Sequence, residues 1–150
     1  MQNKTKATFL RFIYPLALLY WFLLRPKTYG TKIIIKQAGK ILFIKNTYGI
    51  RDWDLPGGGI KKGETPQEAV IREVAEELNL TIVNPTFMGD FIYFGSYKKD
   101  HISVFFIELS QTNPQPDMIE VSDVAWFAPD SFPNIKYEAS RRALSLLTAN

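Results

Sequence analysis

The segment Leu55-Pro56-Gly57-Gly58-Gly59-Ile60-Lys61-Lys62-Gly63-Glu64 and the residues up to 80 constrain the fold more than any other stretch. Three consecutive glycines let the backbone take positive φ and approach a ligand closely. Thr65-Pro66-Gln67-Glu68 then reads as a capping box, with Thr65 at the N-cap, proline at the first helical position and Glu68 reaching back. A helix over 66–78 follows, and fixing its start fixes its faces. At about 100° per residue, Glu73, Glu76 and Glu77 share one side and Arg72 flanks them. Ile71, Val74, Ala75 and Leu78 fall away from that side as the expected buried stripe. Like charges at these spacings destabilise a helix by roughly 0.2–0.5 kcal/mol per pair. A divalent cation would offset this, because such carboxylates can converge on a hard ion. For the helix alone, a solvated acidic face is the plainer reading.

Composition narrows the chemistry. The 150 residues contain no cysteine and one histidine, His101. Thiolate metal sites, disulfides and cysteine nucleophiles are excluded, so any metal is held by oxygen, as magnesium, manganese or calcium are. A solitary histidine near a strand edge is expected to be structural. Five of the 18 basic residues and none of the 15 acidic ones fall within residues 1–30. The remaining chain is thus slightly acidic, which argues against a nucleic-acid-binding face spread over it.

Residues 1–30 read as a separate leader, and residues 31–150 as one domain. Residues 12–24 carry no charge and would form about 20 Å of helix, short of a bilayer's roughly 30 Å core. Pro15 is a candidate kink. Arg25-Pro26-Lys27 follows in place of a small-residue cleavage site. Apolar residues on nearly every side imply deep burial or lipid. Two readings stand close together: a helix packed on the domain, or one lying in a membrane interface through residues 7–27, anchored by Tyr14, Tyr20, Trp21 and flanking cations. A single-pass span ranks third.

Downstream of Tyr29-Gly30, strands are expected at 31–37 and 41–45 around an Ala38-Gly39 hairpin turn, and at 53–55. Further strands are expected at 81–94, 102–109 and 124–127, and a last helix at 134–147. Helix, strands, helix, strands, helix describes one α/β (α+β) domain with a mixed sheet between helices.

Gly58, five residues, Glu64, seven residues and Arg72-Glu73-Val74-Ala75-Glu76-Glu77-Leu78-Asn79-Leu80 together resemble the Nudix box. The match holds at every defined position except Asn79, where that family has glycine. Asparagine is the next best residue for the left-handed conformation that ends a helix. Similarity to Nudix hydrolases extends over residues 31–147, with Trp126-Phe127 resembling the late strand, and implies an α/β/α sandwich. It further implies hydrolysis of a diphosphate linked to a nucleoside or similar group, with Mg²⁺ or Mn²⁺ as cofactor and a small molecule as substrate. Glu73, Glu76, Glu77 and the Gly57 carbonyl would hold metal, with Glu64 as auxiliary and Arg72 orienting a box glutamate. The general base would be Glu73 or Glu120; Glu108 and Asp123 rival Glu120 as the extra acid. Lys61 is a weaker candidate for outer phosphates, and Tyr93 and Tyr97 for stacking a base. A tyrosine at this distance weakly marks dinucleoside polyphosphate hydrolases, while the proline of many ADP-ribose hydrolases is absent, Pro85 coming too soon. The alternative is a Nudix-fold module that binds a nucleotide without cleaving it. The expected location is cytoplasmic, with the leader peripheral to the inner face of the membrane as a further reading.

Overall fold

The computed structural model describes residues 2–24, 26–49, 52–95 and 97–148. Arg25 and the side chain of Lys4, two of the expected flanking cations, lie outside the described residues, as does the side chain of Ala7. Helix α1 (Gln2–Leu24) continues through Pro15. Strands β1 (Lys27–Gln37) and β2 (Lys40–Asn46) follow, then the two-residue β3 (Trp53–Asp54). Helix α2 (Pro66–Leu78) precedes β4 (Thr86–Gly95), β5 (Lys98–Glu108), β6 (Val121–Phe127) and α3 (Glu138–Ser145). A mixed sheet lies between α2 and α3, as expected.

Strand β1 organises the sheet. One edge pairs in parallel with β5 from Lys27↔Lys99 to Lys36↔Glu108, and β4 extends this side antiparallel to β5. The other edge pairs with β2 only at Lys36↔Ile41 and Gln37↔Lys40. Ala38 and Gly39, both at positive φ, close that hairpin in the primed-turn geometry that twisted strands favour. Beyond it β2 diverges to pair with β6 and β3. The vacated edge of β1 is taken by the glycine loop: Thr31 N donates to Gly58 O at 2.8 Å, Ile33 N to Pro56 O, and Ile60 N to Tyr29 O.

Alternation along β1 distributes the core to both faces. Ile33 and Ile35 join Leu42, Ile44, Val70, Val74 and Leu78 beneath α2. Ile34 joins Phe43, Val104 and Ala143 beneath α3. Several boundaries differ from the sequence expectation, among them β5, which starts at Lys98, four residues early, where Gly95 of β4 pairs with it. Gly30 lies inside β1, which starts at Lys27 because β5 supplies a partner that far. Residues 81–85 are not strand, since Asn84 takes positive φ before Pro85, and Ile82 is buried in the α2 core instead. Strand β6 starts at Val121, three residues early, where Asn46 pairs with it. Helix α3 begins only at Glu138, because Arg141 Nη1 donates to the Ile135 and Lys136 carbonyls and holds that segment non-helical.

Gly57 sits at φ +132°, and a Cβ there would collide with the Thr31 carbonyl. Gly59 has open space around it. Gly57→Ala should therefore cost about 1–3 kcal/mol of stability, while Gly59→Ala stays near wild type, both read from urea unfolding midpoints.

Candidate functional site

The α2 cap forms as its sequence requires. Thr65 accepts from the Glu68 amide, the Glu68 carboxylate accepts from the Thr65 amide, and Asn79 takes φ 51° at the C-cap. The buried side differs from expectation: Ala75 is exposed, whereas Ala69, Val70, Val74, Glu77 and Leu78 are buried and Ile71 is half-buried. The buried arc thus begins at Glu77, about 40° round the helix from Glu73. The tertiary contact that decides this is the glycine loop, whose Gly57 N–H donates to Glu77 Oε2 at 3.1 Å. The Glu73 carboxyl carbon stands 2.6 Å from where a Gly58 Cβ would be. Only glycine lets Glu73 come this close.

Glu73, Glu76, Glu77 and Glu120 line one polar cavity of about 350 Å³ with Gly57, Gly58, Gly59, Lys61, Arg72, Asn46, Tyr48 and Asp54. Arg72 is the hub of its exposed side. Its Nε and Nη2 donate to the two oxygens of Glu64 at 2.7 and 2.9 Å, the bidentate geometry a guanidinium favours. Nη1 donates to Glu73 at 2.6 Å and to Glu76 at 3.0 Å, and Nη2 also donates to Gly59 O. Lys61, an outer-phosphate candidate from sequence, is instead turned to Glu76 at 3.4 Å.

Glu77 has 6% of its surface exposed. Burial pushes its carboxyl well above the usual range, against the pull of Lys32 and the Gly57 amide, and the neighbouring Glu73 and Asp54 charges push it further. Burial and the charge of Glu73 also push Glu120 up, while a hydrogen bond from Tyr48 opposes them. Carboxyls gathered in this way are the donor set a hard divalent cation stabilises. Among the described residues no group of three or more His, Asp or Glu side chains stands in ligating geometry, and Glu73, Glu76 and Glu77 engage Arg72, Lys61 and the Gly57 amide.

Of the three rivals for an extra acid, Glu120 alone among the described residues lines this cavity. Glu108 pairs with Lys36 at the far end of β5, and Asp123 is exposed on β6. Glu120 is placed by a loop whose amides 119–121 donate to Asp117. Thr47 fixes that loop through its N–H to Glu120 O and its hydroxyl to Ile119 O. Tyr48 then donates to Glu120 Oε2 at 3.3 Å. Tyr93 packs in the α3 core and Tyr97 against Phe22, so neither lines the acidic cavity. His101 faces Asp90 and Tyr29, outside the cavity.

Sequence reasoning did not reach the support beneath the loop. Lys32 Nζ donates to Asp54 Oδ2 at 2.7 Å and to Leu55 O at 2.9 Å. Ser140 of α3 donates to the other Asp54 oxygen. Lys32 alternates with Ile33 on a strand, and nothing in that pattern distinguishes a buried cation from a solvated one.

Two outcomes follow from these pairs. Lys32→Met strands the buried Asp54 carboxylate and should cost about 3–5 kcal/mol, whereas Lys61→Met, breaking an exposed pair, should change the unfolding free energy by less than about 0.5 kcal/mol, both read from urea titrations. The Arg72 fork holds Glu64 down at about 2 from an ordinary 4.5. A depressed carboxyl contributes stability above 4.5 that is lost as pH falls toward 2. Glu64→Gln should accordingly lower stability at neutral pH and flatten the acid limb in that window, measured by unfolding at successive pH values.

A NUDIX domain model matches residues 26–147. A Bacillus subtilis (strain 168) protein provisionally assigned as an 8-oxo-dGTP diphosphatase is 28% identical over 101 residues, 67% of this chain and 66% of that protein. An RNA pyrophosphohydrolase of Mannheimia succiniciproducens is 45% identical over 49 residues, 33% of this chain and 24% of that protein. The chain therefore spans just under two thirds of the first relative's length and about a quarter of the second's. A MutT Nudix hydrolase structure from Burkholderia pseudomallei superposes with a TM-score of 0.74 at 25% identity, covering 81% of this chain and 98% of that one. With the domain match running through both core faces and the acidic cavity, the chain belongs to the Nudix hydrolase family.

Proposed function

We propose that this chain is a divalent-cation-dependent pyrophosphohydrolase that cleaves a nucleotide-linked diphosphate by attack of water on phosphorus. The observation that carries this reading is the single cavity into which Glu73, Glu76, Glu77 and Glu120 all open beside the glycine loop. The complete carboxylate set favours an enzyme over a module that only binds. Glu73, Glu76 and Glu77, with the Gly57 carbonyl, would hold Mg²⁺ or Mn²⁺. When bound, the cation supplies charge neutralisation of the diphosphate and Lewis-acid activation of water and phosphorus.

The protein's own groups do the rest. Arg72 holds Glu73 and Glu76 in place and ties both to Glu64 and the loop, so the carboxylates keep their orientation when a substrate enters. Glu120, with its proton affinity raised by burial and by Glu73, is placed to take a proton from water. Glu73 is the rival base. A neighbouring cavity of about 500 Å³ on the glycine loop, with Lys27, Tyr29, Lys32, Lys98 and Asp100 in its wall, offers room for the remainder of the substrate, although Lys32 and Lys98 are paired with Asp54 and Asp100. Lys61 can leave Glu76 for an outer phosphate, and Tyr93 and Tyr97 would contribute to base binding only through a rearrangement.

Removing the cation with EDTA should abolish hydrolysis, and added Mg²⁺ or Mn²⁺ should restore it. Glu77→Gln should lower turnover by about a hundredfold or more with an unchanged circular dichroism spectrum. The assay is product release from a panel of dinucleoside polyphosphates, nucleotide sugars, ADP-ribose, nucleoside triphosphates and coenzyme A. Near-wild-type turnover of Glu77→Gln would overturn the proposal. Calorimetric binding of a panel member with no product, both cations tried, would instead favour the binding module.

A further inference from the structure

Helix α1 meets the rest of the chain along one narrow stripe. Leu10, Tyr14, Ala17, Leu18 and Trp21 are half-buried, at spacings that keep them on one side. Arg11 Nε donates to Thr47 O at 2.9 Å, and the Tyr14 ring lies 5.6 Å from Tyr48. A turn or two later Lys98 sits 4.5 Å over Trp21, and Phe22 meets Tyr97. The helix is therefore laid along the domain, held near its middle and near its C-terminal end.

Nine of the sixteen large hydrophobic residues exposed among the described residues lie on this helix, most of them on its outward side. Phe9, Phe12, Leu16, Leu19, Tyr20 and Leu23 are each 55–75% exposed. They occupy an arc of about 100° that no charged residue interrupts from Phe9 to Leu24. A soluble surface rarely carries a continuous patch of this kind without a partner. Charge identifies the partner class. Residues 1–30 contain five cations and no acid; Lys6 on the helix and Lys27 just after it are exposed, as is Arg11, whose Nε is held by Thr47.

We propose that this outer face docks on an anionic phospholipid bilayer, with α1 lying in the interface plane. A bilayer surface offers an apolar layer for the arc and phosphates for the cations. A second copy would oppose two wholly basic leaders with no acid between them. A span is disfavoured by the stripe itself, because the domain already occupies one side of the helix from Arg11 to Phe22. Among the described residues no helix is long and apolar enough to cross a membrane. Since Tyr14 packs on Tyr48, which donates to Glu120, docking would bring the bilayer within about one helix diameter, roughly 10 Å, of the wall of the acidic cavity.

The test is co-sedimentation of the full chain with phosphatidylcholine vesicles, with and without phosphatidylglycerol. The phosphatidylglycerol vesicles should pellet the protein at least about tenfold more efficiently, and added salt should weaken this. The Leu16→Glu/Leu19→Glu double variant alters only the outer arc, so its melting temperature should match wild type while vesicle binding falls about tenfold. Absence of binding to phosphatidylglycerol vesicles would overturn the proposal. Unchanged binding of the double variant would overturn it too, as would a dimer in sedimentation equilibrium that the same substitutions dissociate.

Discussion

The structure depends on how β1 divides its two edges. One edge is committed to β5 along its length. The other is given to β2 for two residues and then, once β2 has turned away, to the glycine loop. Backbone amides along a buried strand need partners, and the loop supplies acceptors at Pro56 and Gly58. That obligation pins an otherwise irregular segment against α2. Gly57 and Gly58 are the points where a side chain would break the contact, one against Thr31 and the other against Glu73.

From that docking comes the electrostatic character of the site. The loop covers one side of α2 and takes Glu77 out of water, leaving the Gly57 amide and the more distant Lys32 as favourable neighbours. Glu73 and Glu76, closer to solvent, are held by Arg72, whose guanidinium also grips Glu64 and Gly59. A single arginine thus offsets repulsion among three carboxylates and ties the helix to the loop at Gly59 and Glu64. Below, the Lys32–Asp54–Ser140 group binds β1, β3 and α3 to one another where the loop departs. Such a partly buried group stabilises only when complete, so rigidity of the loop and integrity of the core are linked.

The leader and the site are also joined. Thr47 receives Arg11 on one side and holds the Glu120 loop on the other, while Tyr48 contacts Tyr14 and donates to Glu120. The short β2–β3 connection therefore carries two loads, and α1 reaches the acidic cavity through it.

What could be read from the chain alone was what acts over a few residues. The Thr65–Glu68 box, Pro66 and Asn79 set both ends of α2, and helical spacing put Glu73, Glu76 and Glu77 together. Ala38-Gly39 set the first hairpin, and the lack of cysteine restricted any metal to oxygen ligands. Long-range pairing decided the rest. Which side of α2 is buried depended on a loop that arrives through β1, so Val70 and Glu77 are inside and Ala75 is not. Glu120 came to the cavity through Thr47, 72 positions from the carbonyl it holds, and Asp54 was completed by Ser140, 86 positions away. Capping and periodicity draw on neighbours within about a turn and carry no term for partners that distant; only the folded sheet brings them into range.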